Sequence, residues 1–294
     1  MVDAQHLKCC SLLGVWVRVP LWAHTLPKNF LKLANVDLIT AIIAIMDKRA
    51  EKTIVYHTLD YIRERRKILN AHLEGDLHDQ TSHDKSAVFL KSFDEKKHRM
   101  IILSVDIVRS TKLSNTLQPK DYEQLVSAFL FETSEIIPNF QGHILKYLGD
   151  GFLSYFFDSS ETHLYSNRAI QCAYSLQEIV EHVLNHIFVK KHYPRIHIRT
   201  ALDSGYAYLT HIGSPRTKRQ SDILGKVINI TTKLQALAEK NRIVIGEDLY
   251  NHLDTSIVSS ALPVKLPKTW GYRNAKGQPY AVYTLDPTLR LLDI

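Results

Sequence analysis

Asp106 and Asp150 are acids whose neighbours suit them to hold charge for a reaction. Asp106 follows Met100–Val105, an apolar run broken only by Ser104 that reads as a buried strand, so a solvated carboxylate emerges from a rigid support. The next residues, Ile107-Val108-Arg109-Ser110-Thr111, turn toward a helix whose first free amides favour a phosphate. A carboxylate beside that turn would hold a divalent ion against the phosphate. Asp150 lies between Gly149 and Gly151, at the tip of a hairpin predicted from His143–Leu148 and Phe152–Phe157. The two glycines let backbone or ligand come close. Two carboxylates on adjacent strand ends can bind two metal ions, one activating an attacking hydroxyl and one neutralising leaving phosphates. Each aspartate alone is explained as well by a helix cap or a turn; only the pair points to chemistry.

The elements that must position this pair follow from hydrophobic patterning. Of 294 residues, 45% are hydrophobic and 23% charged, which suits one large domain with an appendage and excludes collagen-like, low-complexity and wholly disordered chains. The net charge of +7 suits an anionic ligand as well as a nucleic acid and decides nothing alone. Cys9, Cys10 and Cys172 are too few for a disulfide framework, which implies a reducing compartment. The apolar stretches Cys9–Val17 and Leu38–Met46 fall well short of the about 20 residues of a membrane span. Asp3 before the first of them argues against a signal peptide, so a cytoplasmic protein without a membrane partner is expected.

Along the chain, residues 1–28 read as a tail, 29–74 as a helical segment, 75–96 as a linker and 97–288 as the main domain. Ile54, Leu59, Ile62, Leu69 and Leu73 recur near helical spacing; a helix packed on its own domain is favoured over a dimerising one. His78 and His83 in the polar linker read as solvated rather than metal-bound. Beyond Asp150 the pattern predicts a helix from Ser160 to about Lys190. A second hairpin, Arg195–Leu202 with Tyr206–Ile212, is predicted to turn at Ser204-Gly205. A helix over Lys226–Glu239 and strands at Ile243–Ile245 and Tyr280–Leu285 complete an α+β domain. The basic run Arg216–Arg219 lacks interleaved aromatics and reads as a solvated loop, so no nucleic-acid partner is expected.

Three ordered segments resemble the class III nucleotide cyclase catalytic domain, shared by adenylyl and guanylyl cyclases. Ser104–Thr111 resembles the first metal motif, His143–Gly151 the second, and Asp222–Asn229, with Lys233 beyond, the segment that contacts base and ribose. The resemblance covers about residues 97–286 and implies a ferredoxin-like palm whose mixed or antiparallel sheet is flanked by helices. It further implies that Asp106, Asp150 and the Ile107 carbonyl bind two divalent cations, Mg or Mn. Lys146 and Asp222 would select the base, Asn229 would orient the ribose and Lys276 would bind the triphosphate. Lys233 stands where the family usually has an arginine that stabilises the transition state, keeping the charge without the planar fork. Family members complete each site from two subunits, which implies a head-to-tail homodimer with sites at the subunit interface.

Lys146 offers only donors and ionised Asp222 only acceptors. Adenine and cytosine present the matching acceptor beside an amino donor, uracil can engage with the two exchanged, and guanine fits worst. Arg109 occupies a position often held by glycine and places a bulky cation beside phosphates or base. A cyclase behind a short helical leader is similar to the pyrimidine cyclases of bacterial Pycsar anti-phage systems, which make cUMP or cCMP for a separate effector. The expected function is therefore a nucleotide cyclase leaning to UTP or CTP, with an ATP-using adenylate cyclase as the alternative. A non-catalytic nucleotide-sensing module is a further alternative, weakened by the presence of both carboxylates.

Overall fold

The structure, a computed structural model, describes residues 7–9, 16–18, 59–74, 96–157, 164–212 and 220–286. The chain divides into two units, residues 1–52 and 53–294. In the first, β1 (Leu7–Cys9) and β2 (Trp16–Arg18) pair antiparallel, Leu7 opposite Arg18. The helix expected over 29–58, most of the 75–96 linker, the Ser160 cap and the Arg216–Arg219 run lie outside the described residues. Among the described residues no helix is long and apolar enough to cross a membrane.

The second unit begins with α1 (Leu59–Glu74), β3 (Lys97–Ile107), α2 (Ser110–Thr116) and α3 (Pro119–Ser134). A hairpin follows, β4 (His143–Tyr147) and β5 (Gly151–Phe157). Next, α4 (Leu164–Ile179) passes through a π-helical turn, Val180–Leu184, into α5 (Asn185–Lys190). The long β6 (Ile198–Ile212), β7 (Gln220–Leu224), α6 (Lys226–Gln235) and β8 (Arg242–Gly246) come next. Short α7 (Glu247–Tyr250), α8 (Thr255–Val258) and β9 (Ala261–Pro263) lead to β10 (Val282–Leu285).

The sheet is mixed, with order β4-β5-β3-β6-β8-β10-β9 and β7 paired to β6. Among the described residues only the β6–β8 pair is parallel; the other pairings in this sheet are antiparallel. This is the α+β arrangement expected. Because side chains alternate along a strand, Ile101, Leu103, Val105 and Ile107 of β3 enter the main core with α1, α3 and α4. Met100 and Ile102 face the other way, into a cluster with Leu145, Leu153, Tyr155, Leu209, Ile223 and Val227. Burying each such aliphatic side chain is worth about 1.5–3 kcal/mol, which makes β3 the rigid centre of the unit.

The hairpin expected at Ser204-Gly205 is replaced by continuous strand. Ser204 lies opposite Ile101 and Gly205 opposite Met100 on β3, and this pairing overrides the turn preference of Ser-Gly. The glycine provides space instead: a Cβ on Gly205 would approach Val227 of α6 to 2.9 Å. The reversal falls after Ile212, and β7 returns along the distal part of β6.

Helix α1 packs on its own domain. Leu69 is fully buried in the main core, with Ile62 and Leu73 packed beside it. Arg65 Nε and Nη2 both lie 2.9 Å from Oε2 of Glu132 on α3. Arg66 Nε and Nη2 donate to the His182 carbonyl at 3.1 and 2.6 Å, within the π-helical turn. Glu132 is fully buried, and burial pushes its carboxyl up to about 7 while Arg65 pulls the other way. The unfolded carboxyl releases its proton near 4.5 and the folded one near 7, so stability falls as pH rises from about 4.5 to about 7. Buried Asp203, also pushed up to about 7, adds to the same slope. Glu132→Gln is therefore expected to flatten the fall in thermal midpoint across that window, measured by circular dichroism; a slope equal to that of the unmodified chain would contradict the burial argument.

Candidate active site

Asp106 is the penultimate residue of β3 and follows Met100, Ile102 and Ser104 onto the face opposite the helical core. Its register partners are Gly151 on β5 and Arg199 on β6. A Cβ on Gly151 would lie 2.2 Å from the Val105 carbonyl oxygen and 2.9 Å from Asp106 Cβ, so only glycine fits there. The preceding turn is tied to the same place: the Ile107 N–H donates to the Asp150 carbonyl at 3.3 Å and the Leu148 N–H to Gly151 at 2.8 Å. Gly149 completes the turn with φ of 66°.

Arg199 grips Asp106 with both arms of its guanidinium, Nε to Oδ1 at 3.0 Å and Nη2 to Oδ2 at 2.7 Å. Burial pushes the Asp106 carboxyl up; the Arg199 fork opposes this and the Asp150 charge adds to it. The Arg199 guanidinium is pushed up, first by its hydrogen bond to Asp106, and Asp150 contributes as well. Asp106, Asp150 and Arg199 thus act on one another in a single field. Tyr122 at the start of α3 borders it: burial and then Asp150 push its phenol up, and it hydrogen-bonds Ser110.

Two carboxylates are hard oxygen donors of the kind Mg²⁺ and Mn²⁺ take, and with one guanidinium their formal sum is −1, so donor type and charge fit divalent ions. Among the described residues no group of three or more His, Cys, Asp or Glu side chains is gathered to hold a metal. Ions held by this pair would draw their remaining ligands from backbone carbonyls such as that of Ile107, from water, or from phosphate oxygens.

Lys146 and Asp222, 76 residues apart in sequence, meet at 2.7 Å between Nζ and Oδ2. Lys146 follows an irregularity in the β4–β5 register. Asp222 lies in β7, and its Oδ1 accepts from the Ile223 N–H at 2.8 Å. Leu145, Leu153 and Tyr155 from the β4–β5 hairpin pack with Leu209 and Ile223 from the β6–β7 pair, which brings the two polar residues together.

Helix α6 buries Val227, Ile230 and Leu234 and leaves Asn229 and Lys233 exposed, one turn apart on the same face. Among the described residues neither side chain bonds to Asp106, Asp150, Lys146 or Asp222. Lys276 is also exposed, in a turn where its N–H donates to Asn274 Oδ1 at 3.0 Å, and it does not join the carboxylates. Arg109 precedes α2 in the left-handed region, φ 58° and ψ 36°, a conformation that costs a residue with a side chain about 1–2 kcal/mol.

The family model described as the adenylate and guanylate cyclase catalytic domain matches residues 93–271. The chain belongs to this family. It is 25% identical over 168 residues to the cytidylate cyclase of Escherichia coli, a match covering 54% of this chain and 36% of that protein, so it spans about a third of that relative's length. Among solved structures, the guanylyl cyclase Cya2 matches with a TM-score of 0.57 and 18% identity, over 66% of this chain and 94% of that one. The adenylyl cyclase CyaB from P. aeruginosa matches with a TM-score of 0.56 and 20% identity, over 66% and 96%. The guanylate cyclase domain of RhGC from Catenaria anguillulae, solved with GTP, gives 0.53 and 18%, over 65% and 98%. These structures share the fold of the cyclase domain.

Two residues of this cyclase domain escaped the sequence reading. Arg199 lies in the predicted strand Arg195–Leu202, where its alternation with Arg195 and His197 reads as a solvated face and gives no local sign of a partner at Asp106. Gln235, in the amide orientation that satisfies its neighbours, accepts from the Asp106 N–H at 3.0 Å and donates to Ser104 Oγ at 2.8 Å, joining α6 to β3. Gly151→Ala must part β5 from β3 and is expected to lower the unfolding free energy by about 1–3 kcal/mol. Gly271→Ala, where a Cβ meets nothing within 4 Å, serves as the control. Urea denaturation compares them, and equal stabilities would contradict the close approach at Gly151.

Proposed function

We propose that this cyclase domain converts a nucleoside triphosphate, by preference UTP or CTP, into the 3′,5′-cyclic nucleotide and pyrophosphate. The observation that supports this reading is that Asp106, held by the Arg199 fork, lies beside the Asp150 turn, whose carbonyl accepts from the Ile107 N–H at 3.3 Å. Asp106, Asp150 and the Ile107 carbonyl would hold two divalent ions, which when bound supply a more acidic ribose hydroxyl and charge to neutralise the leaving phosphates. The ribose 3′-oxygen forms a bond to the α-phosphorus, the bond to the β-phosphate bridging oxygen breaks, and the hydroxyl proton is released. What the chain contributes is placement and charge rather than a covalent intermediate.

Asn229 would orient the ribose and Lys233 would meet charge building on the α-phosphate. Their exposure on α6, away from any bond to the carboxylates, favours their serving the site of a second copy in a head-to-tail homodimer. Lys276 would reach the triphosphate and Arg109 the phosphates or base. Lys146 and Asp222 present donor and acceptor side by side at 2.7 Å, a pattern cytosine matches directly and uracil with its groups exchanged. The cytidylate cyclase similarity favours a pyrimidine. The same donor–acceptor pair equally suits adenine, which keeps an adenylate cyclase as the second reading. The product would be read by a separate cyclic-nucleotide-binding effector, as in cytoplasmic anti-phage signalling.

Purified protein with Mn²⁺ and each of ATP, GTP, CTP and UTP in turn is the test, with products resolved by chromatography. A cyclic pyrimidine nucleotide should dominate, with GTP the poorest substrate. Asp106→Asn and Asp150→Asn should each lower turnover by at least about 10²-fold, and Lys233→Ala should lower kcat by about 10²–10³ with less effect on KM. Preference for ATP would establish the second reading. Nucleotide binding without turnover would mark a sensing module, and turnover surviving loss of either aspartate would reject the metal assignment.

A further inference from the structure

Both oxygens of Asp106 are engaged by one guanidinium, at 3.0 and 2.7 Å. The arrangement is built into the sheet, because Asp106 and Arg199 are directly opposed on neighbouring antiparallel strands. The two side chains are 22% and 30% exposed, so their attraction is less screened than that of a surface pair. The carboxylate is also held from behind, since its own backbone N–H donates to Gln235 on α6. A divalent ion seated on Asp106 needs an oxygen lone pair, and it brings two positive charges close to a third that occupies the same carboxylate.

We infer that Arg199 competes with the divalent cation for Asp106. This rests on the proposed reading that Asp106 and Asp150 take such ions. Arg199 is a positioning residue acting through Asp106: its fork aims the carboxylate, and it must loosen or turn away for an ion to seat fully. The nucleotide-free protein therefore takes up metal weakly. A merely supportive neighbour of a metal ligand behaves in the opposite way, its removal typically weakening metal binding by about 10–100-fold.

The direction of change separates the two roles. The nucleotide-free full chain is titrated with Mn²⁺, and free Mn²⁺ is read by electron paramagnetic resonance. Arg199→Met is expected to tighten Mn²⁺ binding by about tenfold, Arg199→Lys by a smaller factor, and the gain should disappear when Asp150→Asn is added. Unchanged or weaker binding in folded Arg199→Met, with binding by the unmodified chain still dependent on Asp150, overturns the competition and leaves the metal reading intact. Mn²⁺ binding indifferent to Asp150→Asn in every background overturns the metal reading itself. Should Arg199→Met fail to fold by circular dichroism, Arg199→Lys decides, since it loses the fork: tighter binding upholds the competition and unchanged or weaker binding overturns it.

Discussion

Two carboxylates and a guanidinium share a partly shielded space at the end of β3, and the rest of the unit is arranged around the difficulty of keeping them there. Burial penalises the Asp106 carboxylate and repulsion from the Asp150 charge adds to that, which is why the carboxyl is pushed up even with Arg199 attached. The repulsion is opposed by covalent and backbone constraints rather than by side-chain flexibility. Asp106 is fixed by a strand paired on both sides, and Asp150 by a turn whose carbonyl accepts from the Ile107 N–H. The absent side chain of Gly151 allows the two strands to close at that point. The backbone of β3, β5 and the Gly149–Gly151 turn is thereby held in place when charge at the site changes, and the Arg199 side chain is the part left to move.

That rigidity is drawn from the packing behind it. One face of β3 is buried under helices, and α1, which lies outside the family match, contributes Leu69 to the same core. The Arg65–Glu132 pair links α1 to α3, and the first turn of α3 carries Tyr122 beside the Asp150 field. The opposite face carries the chemistry: α6 rests on β3 and β6 through Ile230, Leu234 and Gln235 while turning Asn229 and Lys233 outward. A single strand thus divides stability from reactivity by the alternation of its side chains.

How much of this was legible in the sequence depended on whether the signal was local. The apolar run before Asp106 and the Gly-Asp-Gly turn are short-range patterns, and both elements form where expected. The Lys146–Asp222 contact became legible only through resemblance, since no spacing rule brings together residues of β4 and β7. Ser204-Gly205 misled because a dipeptide that favours turns was held in strand by its pairing to β3, its glycine serving the approach of Val227. Arg199 and Gln235 stayed hidden because their roles exist only once β6 and α6 have been laid against β3.

Crystals grown with Mn²⁺ and a triphosphate that cannot cyclise would test the convergence of the two aspartates most directly, through anomalous scattering at the manganese edge. Peaks within about 2.0–2.4 Å of carboxylate oxygens from both Asp106 and Asp150 are expected. Ions bound elsewhere, or touching one aspartate while the other points away, would contradict it.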